Sequence, residues 1–354
     1  MDIITSRDNA GVKYACTLRD SEKQRAAEGL FFAEGPKLCL ELAKSCTPRT
    51  AYATEAAMEK TPALESLRPT LIAPHVAEKL AGTKTSQGVF VLFEQPAPPV
   101  ERLDTATHIL ALEGVQDPGN VGTLLRSAAA FGYDLVLLGP GCAAPFSPKT
   151  LRSSMGAAGR LPVLHVDDLP ATLQGLRARG VACLATALYN SRPLGEAGQE
   201  FPQGLCVVIG SEGQGLTDAT VAACDLAVRI PMTDQVESLN AGVAGSVLLW
   251  QFRNVDKTLA WLWLADAVGS ACQNARDLLA LYPDPEALYE ALCAGREAPP
   301  YFLSDHAVAQ LCDTTPFDYE ERLDHCLLTG VEIITPDDAA YPDRLRDLPD
   351  MPLV

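Results

Sequence analysis

The chain is short of positive charge, with 28 Lys and Arg against 45 Asp and Glu and a formal net charge of −17. A protein that grips many phosphates over its whole surface is basic, so net charge alone does not argue for a nucleic-acid partner. The deficit is uneven. Residues 1–100 carry 12 basic and 12 acidic side chains, residues 101–254 carry 10 and 14, and residues 255–354 carry 6 and 19. The acidity therefore belongs mostly to the last hundred residues, which would repel RNA and are expected to sit away from any RNA site. Other absences exclude further classes. The 11 cysteines include no Cys-x-x-Cys pair and the 5 histidines no metal-ligand spacing, so neither a metal partner nor a disulfide framework is expected. No apolar run approaches the roughly 18 residues of a membrane span. The short run Leu259 to Leu264, with Trp261 and Trp263, reads as core. The start of the chain lacks a charged-then-apolar signal. A reduced, cytoplasmic protein with no membrane partner is the expectation.

Common catalytic signatures are missing too. Gly210 and Gly215 have the spacing of a phosphate-binding loop, but Leu216 stands where lysine is required. No G-x-G-x-x-G follows a strand, and there is no G-x-S-x-G elbow and no H-E-x-x-H. Triphosphate, dinucleotide, hydrolase and zinc-protease chemistries all lack their parts.

What is present is a repeated α/β pattern. At 354 residues, two or three domains are expected at about 150 residues each. Residues 1–94 alternate helical patterns, as around Lys37 to Lys44, with short apolar strands, as at Gly88 to Phe93, and read as a small α/β domain. The proline-rich Gln95 to Pro99 opens a stiff linker over 95–104. Over 105–254, strands at Ile109 to Leu112, Leu135 to Leu138, Val181 to Ala187, Cys206 to Ile209 and Leu226 to Ile230 alternate with helices. This predicts an α/β fold with a doubly wound parallel sheet, closed by a helix from Ala241 to about Phe252. Residues 255–354 change to aromatic-bearing helices punctuated by Pro283, Pro285, Pro299 and Pro300.

Three strand ends in the middle domain break into polar or glycine-rich loops before helices. The first runs through Asp117-Pro118-Gly119 into a helix bearing Asn120 and Arg126. The second is Val207 to Leu216, with Glu212 among Gly210, Gly213 and Gly215. The third runs from Ile230-Pro231-Met232 to Val236-Glu237-Ser238-Leu239-Asn240. In one parallel sheet these ends would converge on one crevice. Their main-chain groups, beside Ile209, Ile230, Met232 and Leu239, suit a neutral heterocycle such as adenine. Each polar residue has two readings. Arg126 is a reacting-centre residue or a surface arginine paired with Asp117 or Glu113, and Asn120 is a ribose or phosphate ligand or a helix cap. Ser238 and Asn240 cap the last helix or position Arg126 or substrate. Lys149 and Arg152 touch RNA phosphates or lie on a plain surface helix. Arg19, Lys23 and Arg25 form a phosphate-facing patch or a solvated helix face.

The three ordered blocks resemble the SpoU (TrmH) class of the SPOUT superfamily of RNA methyltransferases. Upstream, Ile4-Thr5-Ser6 with Asn9, Phe32-Ala33-Glu34-Gly35 and Gln87-Gly88-Val89 resemble the substrate-binding domain that precedes it in many members. The resemblance implies an RNA substrate-binding domain over 1–94 and a trefoil-knotted parallel-sheet catalytic domain over 105–254. It further implies S-adenosyl-L-methionine as cofactor and ribose 2′-O-methylation of rRNA or tRNA by a homodimer with its site at the interface. It marks Arg126, Asn120, Glu212, Ser238 and Asn240 as catalytic, with Glu212 holding Arg126 or the methionine amino group, and Arg126 serving as general base or as electrostatic stabiliser. Ile209, Gly210, Gly215, Ile230, Met232 and Leu239 would bind cofactor. The exposed apolar stripe expected on the last helix, Val243, Val247, Leu248 and Trp250, is a candidate dimer surface.

The end of the chain, Gly330-Val331-Glu332-Ile333-Ile334-Thr335 through Tyr341-Pro342 to Pro352, resembles the N-terminal helical region of the DNA-processing protein DprA. It stops where that family's nucleotide-type domain would begin, so single-stranded DNA binding is not implied. The rival to the enzyme is a nucleic-acid-binding adaptor directed by this region, and it is disfavoured by the intact polar set.

Overall fold

The computed structural model describes residues 3–354 except 84, 188–189, 197–200, 202, 212, 234, 237, 254–256, 270–272, 283, 294–299, 339, 347 and 349–350. It divides into two compact units, Met1–Asn254 and Val255–Val354.

The first unit opens with α1 (Ala10–Asp20), capped by Asn9, whose side chain accepts from the Gly11 and Val12 N–H groups. Then come α2 (Glu22–Glu28), β1 (Leu30–Glu34), α3 (Pro36–Leu42), β2 (Pro48–Ala53), α4 (Glu55–Lys60), β3 (Thr70–Leu71), α5 (Pro74–Leu80) and β4 (Val89–Glu94). The sheet order is β1-β4-β2-β3. The period of two in these strands sorts their side chains between two cores. Phe32, Tyr52, Phe90 and Leu92 pack with Val12, Leu18 and Val76 from the flanking helices. Phe31, Val91 and Phe93 face the other way and merge with the core of the following domain. Phe31 stacks between Phe93 and Phe146, with centroids at 5.4 and 4.9 Å. The proline-rich stretch expected to act as a stiff linker thus joins two layers that share one hydrophobic core.

Of the cluster with two readings, a phosphate-facing patch or a solvated helix face, Arg19 and Arg25 fit neither and are largely structural. Arg25 is buried and donates to the Leu18 and Arg19 carbonyls, and Arg19 pairs with Asp20 while donating to the carbonyls of residues 79–81.

Beyond α6 (Arg102–Thr105), the second layer runs β5 (His108–Leu112), α7 (Pro118–Ala130), β6 (Leu135–Leu138), α8 (Pro148–Ser153), β7 (Val163–His165), α9 (Leu169–Ala178), β8 (Ala182–Thr186), β9 (Arg192–Pro193), β10 (Leu205–Ile209), α10 (Asp218–Ala222), β11 (Leu226–Arg229) and α11 (Ala241–Gln251). All pairings in the sheet β7-β6-β5-β10-β8-β11-β9 are parallel. Both faces are covered, as near-continuous apolar strands require. Leu110, Leu112, Val207 and Ile209 pack beneath α7 and α11, while Ile109, Ala111, Cys206 and Val208 pack beneath α9. The expected strands form within a residue or two of their predicted limits. β7 and β9 were not anticipated, being three and two residues long, too short for a period to register. β10 enters between β5 and β8, so the strand order reverses there and opens a crevice at the carboxyl ends.

Helix α7 is held on two faces. Gly122 sits against α8 so closely that a Cβ would lie 1.9 Å from Ser153 Oγ and 2.7 Å from the Thr150 carbonyl. On the other face Ser127 Oγ hydrogen-bonds Ser246 Oγ of α11 at 2.8 Å.

The second unit is helical: α12 (Thr258–Val268), α13 (Gln273–Leu281), α14 (Pro285–Cys293), α15 (Asp305–Asp313), α16 (Glu320–Thr329) and α17 (Asp343–Arg346). Trp261 and Trp263 are buried at its centre, as the sequence suggested, and their indole N–H groups donate to Asp337 and to the Thr314 carbonyl. Among the described residues no helix is long and apolar enough to cross a membrane.

The packing of α7 gives a direct test. Helix propensity alone favours Ala over Gly by up to about 1 kcal/mol, but the contact with α8 is backbone and cannot yield. Gly122→Ala should therefore destabilise the protein by roughly 1–3 kcal/mol, read as a lower denaturant midpoint. An unchanged or raised midpoint would remove the close approach from the account.

Candidate active site

The carboxyl ends of β8, β10 and β11 surround a cavity of about 530 Å³. Its inner wall is apolar, with Ile209 from the end of β10, Val228 from β11, and Ala241, Ala244 and Leu248 from α11. Ile230, Met232, Ser238 and Leu239 from the loop after β11, and Gly210 to Leu216 from the loop after β10, complete it, glutamate 212 aside. All six positions expected to bind a heterocyclic cofactor, Ile209, Gly210, Gly215, Ile230, Met232 and Leu239, line this one cavity. Thr186, Ala187, Asn190, Asp218 and Arg229 also line it and were not singled out from sequence. They lie at strand ends and at the start of a five-residue helix, where no motif marks them.

The glycine loop is folded back on itself. Gly215 N–H donates to the Ser211 carbonyl at 2.9 Å, and a Cβ on Gly210 would lie 2.3 Å from the Gly215 carbonyl carbon and 2.5 Å from Leu216 N. Gly210 is thus required by its own loop. A larger side chain there would push the loop apart before it met any ligand. The far end of the loop is bolted to the first block by Glu113. Its carboxylate accepts from Thr217 N–H at 2.8 Å, Thr217 Oγ1 at 3.1 Å and Thr220 Oγ1 at 2.8 Å. Glu113 entered the sequence reading only as a possible partner of Arg126. It instead anchors the loop, and nothing in its spacing from Thr217 announced this.

Asp117, not Asn120, caps α7. Its side chain accepts from Gly119 N–H at 2.7 Å and pairs with Lys149 Nζ at 2.7 Å. The lysine, with help from the Gly119 N–H, holds this carboxyl below the ordinary aspartate range. Lys149, with its two readings of RNA-phosphate contact or plain surface helix, is engaged in that pair. Asn120 is the third residue of the helix, within its first turn, and its Oδ1 accepts from Asn240 Nδ2 at 3.0 Å. Asn240 caps α11, its Oδ1 accepting from Val243 N–H at 3.2 Å. The structure therefore joins the first and third blocks through an asparagine pair and places Ser238 in the cavity. Glu212 lies outside the described residues.

Arg126 is placed elsewhere. Asn120 and Ser127 lie on the face of α7 toward α11, whereas Arg126, with Ala129 and Ala130, opens onto a second cavity of about 380 Å³ that shares no lining residue with the first. It is exposed, and among the described residues it pairs with neither Asp117 nor Glu113. On α11, Val243, Val247 and Trp250 are 51%, 38% and 52% exposed, while Leu248, expected in the same stripe, is buried. The described cysteines are free thiols, and burial pushes Cys224 up to about 12, which keeps that thiol protonated and unreactive. Among the described residues no cluster of ligating side chains could hold a metal ion.

Comparison with known proteins follows this geometry. A family model described as the SpoU rRNA Methylase family matches residues 107–250, and one described as an MRM3-like substrate binding domain matches residues 9–91. An uncharacterized tRNA/rRNA methyltransferase of Synechocystis is 36% identical over 263 residues, covering 71% of this chain and 93% of the relative. The 23S rRNA (guanosine(2553)-2′-O)-methyltransferase RlmP of Bacillus subtilis is 39% identical over 173 residues, 48% of this chain and 66% of the relative. The chain thus spans about two thirds of that protein. The AdoMet-bound rRNA methyltransferase of Sinorhizobium meliloti superposes with a TM-score of 0.63 at 26% identity, covering 71% of this chain and 96% of that one.

Gly210→Ala tests the first cavity. Parting the loop backbone should weaken S-adenosylmethionine binding at least about tenfold in calorimetry, measured at a temperature where the variant is still fully folded. Unchanged affinity would place the cofactor elsewhere.

Proposed function

Because the chain belongs to the SpoU rRNA methylase family, we propose that it transfers a methyl group from S-adenosylmethionine to a ribose 2′-hydroxyl of ribosomal or transfer RNA. The observation that carries this reading is the cavity at the ends of β8, β10 and β11, where an apolar wall meets a loop rich in main-chain donors and acceptors. Its size lies within the roughly 300–1,000 Å³ typical of small-molecule sites. Ile209, Leu239 and Leu248 suit the two flat faces of adenine, the Gly210 to Leu216 backbone suits its polar edge, and Asp218 and Asn190 offer side-chain partners for hydroxyl or amino groups. The cofactor, when bound, supplies an electrophilic methyl group.

The chain's residues then have to present the hydroxyl oxygen in line with that methyl, exclude water and manage the proton and charge on the oxygen. Arg126 is the residue assigned to the reacting oxygen. Its planar guanidinium donates several N–H bonds at once and holds negative charge as it develops. Asn120 and Asn240, joined to each other, fix the spacing between the start of α7 and the start of α11, and so the position of Arg126 relative to the loops.

Arg126 and the first cavity open on different faces of one chain. A homodimer formed through Val243, Val247 and Trp250 of α11 accounts for both facts: it covers an exposed apolar stripe and lets one copy's arginine serve the other copy's cofactor. A knotted path for the loops, a cytoplasmic location, and an acidic appendage over 255–354 that sits apart from the RNA belong to the same reading.

Arg126→Lys keeps the charge and loses the planar fork. It should lower single-turnover methylation by roughly 10²-fold or more with S-adenosylmethionine affinity unchanged. Near-normal methylation by this variant would take Arg126 out of the reacting centre.

A further inference from the structure

The second cavity is electropositive in a chain whose net charge is −17. It lies between α3 of the N-terminal layer and the second half of α7, and its charged lining is Lys37, Arg126 and Arg160 against one carboxylate, Glu41. That carboxylate is already matched twice, by Arg160 and by Lys44 at 2.9 Å. Among the described residues Lys37 and Arg126 have no ion pair. Two cations without a counter-charge on one concave wall repel one another, and an anion placed between them would relieve that repulsion. Ala129, Ala130 and Ala157 leave the floor open. The rim is held under strain: Met155 sits in the left-handed region at φ 51 and is 38% exposed, a conformation that costs a non-glycine residue of order 1 kcal/mol and persists where surrounding packing imposes it.

We propose that this cavity is a phosphate subsite. Lys37 holds a backbone phosphate of the RNA next to the target nucleotide, so that the target ribose falls beside Arg126. Lys37 is then a positioning residue supplied by the N-terminal layer to chemistry done by the catalytic layer, and it selects a nucleotide embedded in a strand over a free nucleoside. The inference rests on the methyl-transfer reading for the role of Arg126, but its anion site is tested independently by binding.

The experiment compares full-length wild type with Lys37→Gln and Lys37→Arg. It uses unmodified transcripts of ribosomal RNA and of tRNA, measuring RNA binding across a salt series without cofactor, and methylation with it. Loss of one phosphate contact should reduce the slope of log affinity against log salt by roughly 0.7–0.9 in Lys37→Gln. The value of kcat/KM should fall about tenfold, mostly through KM, with S-adenosylmethionine affinity unchanged and with Lys37→Arg restoring both. A slope and KM in Lys37→Gln equal to wild type would overturn the subsite while leaving the methyltransferase reading intact. Wild type that binds neither transcript would overturn it as well. Wild type that binds RNA with the predicted Lys37 dependence but transfers no methyl group would uphold the phosphate site and reject the methyl-transfer reading.

Discussion

The position of helix α7 is the constraint on which the rest of this molecule depends. It starts where β5 ends, its first turn is tied to α11 through Asn120 and Asn240, and its Gly122 is pressed onto α8 without room for a methyl group. Moving α7 would open the shared core beneath it, built from Leu110, Val121, Leu124, Leu125 and Ile209. Interiors packed this closely do not deform gradually. Arg126, carried on the face of the helix that lines the second cavity, is thus set in place by the contacts α7 makes with α8 and α11.

The same logic governs the first cavity. A parallel sheet with helices on both sides exposes its backbone at the strand ends, and the entry of β10 between β5 and β8 parts the connections there. The loop after β10 is then closed by its own hydrogen bonds and locked by Glu113 to the loop after β5. The cavity is therefore a product of three separate chain segments, and disturbing any one reaches the other two. The N-terminal layer is integrated in turn: alternate residues of β1 and β4 serve its own core, and the intervening ones serve the catalytic core.

Much of this was legible in the sequence because apolar strands ending in polar loops carry both a period and a break. Leu135 to Leu138 forms a strand with the limits its apolar run predicts, and Ile209, Gly210 and Gly215 of the second block line one cavity with Ile230, Met232 and Leu239 of the third. The misreadings share a cause. Local spacing cannot distinguish which of several polar residues takes a given partner, so the cap of α7 was sought at Asn120 and belongs to Asp117. Likewise Arg126 was weighed against Asp117 and Glu113, which are bound to Lys149 and to Thr217 and Thr220. Arg19 and Arg25 looked like a phosphate patch because a sequence does not show that carbonyls from a distant turn and from the preceding helix face them. The separation of Arg126 from the first cavity was out of reach for the same reason: it is a fact about which side of a helix meets which neighbour.

If Arg126 acts on the reacting oxygen as proposed, that separation calls for the arginine of one copy to act on the cofactor held by another. Dimers purified through two different tags, with Arg126→Ala on one copy and Gly210→Ala on its partner, measure it directly. If the site is shared, then with S-adenosylmethionine held below the wild-type Kd each homodimeric variant is strongly impaired, while the mixed dimer keeps one intact site of its two and about half of wild-type methylation. Mixed dimers as inactive as either parent, or a wild-type protein that stays monomeric in solution, would contradict it.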